Sequence, residues 1–167
     1  MTAEEITKYL TELNDELRLM DIKGEISLYG GAVMCLAFKS RPVTKDVDAI
    51  FEPVKAIRLA AGKVGERHNL DTGWLNLAVK MFVVEHPKNV LFDFPNLKVF
   101  VPDGEYMLAM KVLSARPDSS DLEDIEFLLG YLHIRNLGDI VDIVQNYYPR
   151  KEIKGETIFL LEELLTK

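Results

Sequence analysis

The feature that most limits the fold of this chain is the order of one short stretch. An apolar run leads into a glycine pair, a second apolar run follows, and then come two aspartates one residue apart. Glu25-Ile26-Ser27-Leu28-Tyr29 reads as a strand that runs into Gly30-Gly31, and Ala32 to Lys39 reads as a helix opening at the glycines. Fourteen residues separate Gly31 from Asp46-Val47-Asp48, and Val43 to Phe51 alternates as a second strand until Pro53 ends it. Strand, tight turn, helix and strand in this order imply an α/β layer. Glycines at such a turn let backbone approach a ligand, and the first N–H groups of a helix offer hydrogen bonds to an anion. Two aspartates at i and i+2 of a strand share a face, roughly 6–7 Å apart, with Val47 directed to the core. Paired carboxylates are oxygen ligands for Mg²⁺, which in turn grips substrate phosphates. Alone, a Gly-Gly pair is most often a turn, and Asp-x-Asp is most often two solvated side chains. Their placement on consecutive elements is what gives them a joint meaning.

The remaining chain divides into a mixed first part and an all-helical second part. Thr2 and Glu5 form a capping-box pattern before Ile6, Leu10, Leu13 and Leu17, which predicts a helix from Ala3 to Met20. A helix over Val54 to Glu66 follows, weakened at its far end by Gly62 and Gly65. Between His68 and Asn89 the pattern is mixed: Trp74 to Lys80 reads as a short helix, and Met81 to Val84 as a strand or a continuation of that helix. Val90 to Phe94 and Leu97 to Val101 read as two strands joined at Pro95-Asn96. Beyond Asp103 the sequence predicts helices over Tyr106 to Ala115, Ser120 to Leu132 (capped by Ser120-x-x-Glu123, with a buried stripe of Leu122, Ile125, Leu129 and Leu132), Asp139 to Tyr147, and Glu156 to Leu165. The organisation expected is an α/β (α+β) core over residues 1–102, with a helical part over 103–167 packed on it as one compact unit.

Composition narrows the functional classes. With 48% hydrophobic and 28% charged residues, the chain can bury a core. Its one cysteine, Cys35, lies in an apolar run and reads as a buried hydrophobe. No signal-peptide pattern opens the sequence, and no apolar run reaches the roughly 18 residues of a membrane span, so a soluble, cytoplasmic protein without membrane partners is expected. A net charge of -7 argues against broad, non-specific binding of nucleic acid. Any phosphate ligand must then be held by metal, by backbone N–H groups or by a few placed cations. Walker-type and dinucleotide glycine motifs are absent, and His68, His86 and His133 lack metal-ligand spacing. Oligomeric state is not encoded legibly.

Leu28-Tyr29-Gly30-Gly31, followed by Arg41-Pro42-Val43-Thr44-Lys45-Asp46-Val47-Asp48, resembles the signature of the nucleotidyltransferase superfamily. It is most similar to the small bacterial branch that includes AbiEii-type toxins and related nucleotidyltransferase-like proteins, where an Arg-x-Thr precedes the Asp-x-Asp. A second block, Tyr106 to Arg116 followed by Asp121-Leu122-Glu123-Asp124-Ile125, is similar to that branch's helical motif. The two blocks cover about half the chain. The resemblance implies a nucleotidyltransferase-like mixed sheet flanked by helices. It implies metal-dependent transfer of a nucleoside monophosphate from an NTP to a hydroxyl of RNA or tRNA, of a protein or of a small molecule, and a toxin–antitoxin setting with an antitoxin protein as partner. Mg²⁺ or Mn²⁺ would sit on Asp46 and Asp48. Nucleotide-binding positions would be Gly30, Gly31, Arg41, Thr44, Lys45, Lys111, Arg116, Asp121 and Asp124, with Lys111 and Asp124 facing the cleft and Lys111 a mobile charge toward the triphosphate. A third carboxylate is expected from a later strand. Asp93 is the first candidate, completing a catalytic set of Asp46, Asp48, Asp93 and Lys111; Asp71 and Glu85 are the others. Trp74-Leu75-Asn76-Leu77 resembles a segment that continues with Asp in relatives, where this chain has Leu77.

Each of these residues has a plainer reading. Lys111 on an amphipathic helix is by default solvated or snorkelling. Arg116 with Asp121 or Asp124 is by default a helix-end ion pair. Trp74 reads as core rather than a base-stacking platform, and the acidic run Asp118 to Glu126 as a solvated face with one or two members turned inward. The alternative function is a non-catalytic nucleotide-sensing or protein-binding module on the same fold.

Overall fold

A computed structural model describes all residues, Met1–Lys167, and has a mixed α/β fold. The chain divides into two compact units, Met1–Val83 with Lys88–Pro102, and Asp103–Lys167 with the short stretch Val84–Pro87. No helix is long and apolar enough to cross a membrane.

The first unit is built on a five-stranded sheet. Its strands are β1 (Gly24–Tyr29), β2 (Val47–Glu52), β3 (Leu75–Asn76), β4 (Lys88–Asp93) and β5 (Leu97–Pro102), in the order β3-β2-β1-β5-β4. β1 pairs antiparallel with β2 and parallel with β5, β2 pairs parallel with β3, and β4 pairs antiparallel with β5. One face carries Ile26, Leu28, Val47, Ala49, Phe51, Leu97, Val99 and Val101, all buried, as period-2 alternation requires. Against the sheet pack α1 (Ala3–Leu19), α2 (Gly30–Leu36) and α3 (Val54–His68). The capping box predicted for α1 forms, with Thr2 Oγ1 accepting from Glu5 N–H and Glu5 Oε1 from Thr2 N–H. Ile6, Leu10, Leu13 and Leu17 are fully buried.

Three expectations for this unit need correction. β2 begins at Val47 rather than Val43. The residues before it pair with the chain's N-terminal residues, Val43 bridging Thr2, and Thr44 exchanging hydrogen bonds with Met1 through N–H to carbonyl (2.9 Å) and ammonium to carbonyl (2.7 Å). Trp74 to Lys80 is not a helix. Leu75–Asn76 adds a two-residue strand to the sheet edge, and a 3-10 turn follows over Ala78–Met81. Met81 to Val84 is not a strand. Trp74 itself is core, with its indole N–H donating to the Ala61 carbonyl at 3.0 Å. Gly65 lies where an added Cβ would stand 3.3 Å from that indole, so this glycine admits the ring rather than ending α3.

The second unit holds α4 (Gly104–Ser114), α5 (Asp121–Tyr131), α6 (Leu137–Tyr147) and α7 (Gly155–Leu165). Asp103 caps α4 and Asn136 caps α6. The expected Ser120 cap is not made: Ser119 Oγ accepts from Asp121 N–H instead. On α5 the buried apolar residues are Ile125, Leu128 and Leu129, while Leu122 and Leu132 are only half-buried. Val84–Pro87 joins this unit through Tyr106. The Tyr106 hydroxyl accepts from Val84 N–H (3.0 Å), and the His86 ring stacks on the Tyr106 ring at 3.9 Å and 6°.

Candidate functional site

β1 delivers the chain to Gly30 at a backbone angle that glycine alone adopts freely, φ +61°, and α2 starts there. The β1–β2 register sets Tyr29 directly opposite Asp48. The first aspartyl side chain on β2 therefore stands beside the glycine turn. A Cβ added to Gly30 would meet Asp48 Oδ2 at 2.9 Å. A Cβ added to Gly31 would fall on Thr44 Oγ1 and on Arg41 Nη1. Four residues distant in sequence, Gly31, Arg41, Thr44 and Asp48, thus converge on the turn. Either glycine replaced by a larger residue would displace them.

The loop that carries Arg41 and Thr44 is held on several sides. Thr44 is buried, its backbone is tied to Met1 as described, and its hydroxyl donates to the Asp46 carbonyl at 3.2 Å. Val47 N–H donates to the Trp74 carbonyl at 2.7 Å, which fixes the start of β2. Asp46 precedes the strand, so the rule that i and i+2 share a strand face does not by itself place it with Asp48. Both aspartates are half-buried, and Val47 between them is fully buried. Lys45 is exposed.

Asp93 does not join the pair. It is in register with Lys98, Lys98 with Glu25, and Glu25 with Glu52. That places Asp93 level with the far end of β2, about 13 Å along the strands and about 14 Å across three strand spacings from Asp48. Chain direction explains the error: β4 runs away from the glycine end, so its last residue lies farthest from the site. Asp71 lies in an exposed turn, and Glu85 belongs to the second unit. No group of three or more His, Cys, Asp or Glu side chains is placed so as to hold a metal ion. The residue that β3 sets beside Asp48 is Asn76. Sequence reasoning missed this neighbour because a two-residue strand is too short to show any period.

For the divalent ion implied by the resemblance, Asp46 and Asp48 supply the right donors, hard carboxylate oxygens. Two carboxylates suit Mg²⁺ that keeps part of its water and is shared with substrate phosphates, rather than an ion caged by protein alone.

In the second unit Lys111 is not a mobile cation. It is buried, and its ammonium binds Asp124 Oδ2 at 2.8 Å and Asp121 Oδ1 at 3.2 Å. Asp121 also accepts from Ser119 Oγ (2.7 Å), from Arg116 N–H (3.3 Å) and from Arg116 Nε–H (3.4 Å). Burial pushes the Asp121 carboxyl up, but the Ser119 bond, the Lys111 charge and the Arg116 bond outweigh it and hold the group below its ordinary value. Lys111, Arg116, Asp121 and Asp124 therefore form an internal ion-pair cluster tying the end of α4 to the start of α5. The mobile charge expected at Lys111 is instead an ammonium held by two carboxylates. Exposed Arg116 keeps its guanidinium largely in solvent.

No protein-family model matches the chain, and neither a curated protein nor a solved structure matches it.

Proposed function

We propose that the chain binds a nucleoside triphosphate with a divalent cation at the Gly30-Gly31 turn and transfers its nucleoside monophosphate to an acceptor hydroxyl. The observation that supports this reading best is the convergence of Arg41, Thr44 and Asp48 on that turn. A turn of this kind brings close backbone, a delocalised cation and a carboxylate to one point, which is the combination a metal-bound phosphate chain requires. In the transfer, the acceptor hydroxyl oxygen would bond to the α-phosphorus and give up its proton to solvent, the bond from that phosphorus to the oxygen bridging to the β-phosphate would break, and pyrophosphate would leave. The cation would neutralise phosphate charge and lower the barrier for the leaving group. Asp46 and Asp48 would hold that cation. Gly30 and Gly31 let Asp48, Thr44 and Arg41 close on the turn, and Arg41 would bear on the negative charge of the phosphates. RNA or tRNA is the acceptor class the resemblance favours, and an antitoxin protein is the partner it implies; the compartment we propose is the cytoplasm.

The distance of Asp93 from Asp48 supports a second reading, a nucleotide-sensing or protein-binding module that binds the triphosphate without transferring it. Incubation with each α-labelled NTP, Mg²⁺ or Mn²⁺ and total bacterial RNA separates the two. Label in RNA that vanishes with Asp48→Asn supports transfer. Retained nucleotide binding with no label in RNA, protein or small molecules supports the sensing module.

A further inference from the structure

We infer that this site takes one divalent cation, shared with the triphosphate, because the β3 position beside Asp48 holds the neutral Asn76 where a second ion would need a carboxylate. The inference rests on the reading proposed above and concerns its metal stoichiometry.

Two divalent ions about 3.5–4 Å apart repel strongly, and a site that holds both needs carboxylates on more than one side of the pair. Around Asp48 the sheet offers two neighbours. On β1 it is Tyr29, directly opposite, and on β3 it is Asn76, in register on a parallel strand. Adjacent strands lie about 4.8 Å apart, so Asn76 shares a face with Asp48 and is the β3 residue placed to add a ligand. It adds no charge. Its amide is also committed to the turn that follows and precedes it: Oδ1 accepts from Ala78 N–H at 3.1 Å, and Nδ2 donates to the Gly73 carbonyl at 3.3 Å. An asparagine side chain held by its own backbone on both ends is a turn element, not a metal ligand. Asp93 is displaced to the far end of the sheet, and no third acid, histidine or cysteine groups with Asp46 and Asp48.

Positive charge enters the site in another way. Arg41 reaches the space over Gly31, so that a Cβ there would fall on its Nη1. A guanidinium at that point neutralises phosphate charge that a second ion would otherwise meet. One cation and one arginine thus replace a two-ion clamp.

Mn²⁺ tests this directly, because its free form is counted by electron paramagnetic resonance. The full chain is titrated with Mn²⁺, with and without a non-hydrolysable NTP analogue, as wild type, Asn76→Asp and Asn76→Ala, each checked for native circular dichroism. One ion per wild-type chain is expected with the nucleotide, and weak binding without it. Asn76→Asp is expected to bind Mn²⁺ at least about tenfold more tightly in the absence of nucleotide, since affinity at oxygen sites follows ligand charge. Asn76→Ala, which loses the turn bonds but adds no charge, keeps the wild-type stoichiometry. Two ions on the wild type would overturn the inference and leave the proposed function standing. A folded Asn76→Asp with unchanged Mn²⁺ affinity would also overturn it. If Asn76→Asp does not fold, the wild-type and Asn76→Ala counts decide alone. No ion bound even with nucleotide would overturn both this inference and the reading it rests on.

Discussion

Replacing Lys111 with methionine separates a structural lysine from a ligand-binding one. Methionine keeps most of the apolar stem and removes the charge, leaving Asp121 and Asp124 with side-chain exposures of 9% and 4%. Removing one partner of a buried ion pair costs about 3–5 kcal/mol, because the remaining charge keeps its desolvation penalty. Asp121 retains the Ser119 hydroxyl and the Arg116 N–H, which places the expected loss at the lower end, about 3 kcal/mol. For a chain of this size that corresponds to a fall in Tm of roughly 6–12 °C. The pH dependence has a definite sign. In the wild type the lowered Asp121 carboxyl contributes stability that is complete above its unfolded value of about 3.9 and is lost as pH falls through the folded value. Without Lys111 the folded value of Asp121 rises, and the deficit of the variant shrinks as pH falls from 7 toward 4. Adding Asp124→Asn should restore more than half of the loss at pH 7. Urea unfolding followed by circular dichroism at both pH values reads these quantities. A Lys111→Met variant within about 1 kcal/mol of wild type at pH 7, or with the same deficit at both pH values, would refute the reasoning.

Two further outcomes follow from the first unit. Gly31→Ala should destabilise the chain by about 1–3 kcal/mol, the range for an added methyl in a filled space, and should abolish nucleotide binding, because its Cβ falls on Thr44 and Arg41; urea unfolding and a binding titration on the same sample check both. Arg67 bridges Glu12 and Glu16 between α3 and α1, and His68 Nε2 lies 2.6 Å from Glu12 Oε2. Burial pushes the Glu12 carboxyl up, but the Arg67 and His68 bonds outweigh it and hold it below its ordinary value, so its contribution is present above about pH 4.3 and lost below. Arg67→Ala should narrow the gap between folded and unfolded values and flatten the acid limb of the stability curve, measured by urea unfolding between pH 3 and pH 6; an unchanged limb would contradict the assignment.

How much of this was legible beforehand depends on the length over which each signal repeats. The first helix could be read nearly to its last residue because Thr2, Glu5 and four apolar residues at helical spacing agree with one another. β1, the glycine turn and α2 were legible for the same reason. β2 was read four residues too early because Val43 and Thr44 alternate like a strand, yet their partners are Thr2 and Met1, which no local pattern reveals. β3 was invisible, since a two-residue strand has no period, and with it the neighbour that Asn76 makes for Asp48. Of the residues that gather at the glycine turn, Gly30, Gly31 and Asp48 were singled out by type and order, and Arg41 and Thr44 only by the resemblance. Asp93 was misplaced because its position depends on the direction of β4 within the sheet, a long-range fact. Lys111 and Arg116 carried the right residue types for phosphate, but it is the packing of α4 against α5 that brings Asp121 and Asp124 onto that lysine.

The most direct test of the central claim is calorimetric titration of the folded chain with ATP, GTP, CTP and UTP in the presence and absence of Mg²⁺, repeated on Asp46→Ala/Asp48→Ala. The account predicts Mg²⁺-dependent binding of at least one nucleotide to the wild type, lost in the double variant while its circular dichroism remains native. Absence of binding for all four nucleotides, or binding that survives the loss of both aspartates, would contradict it.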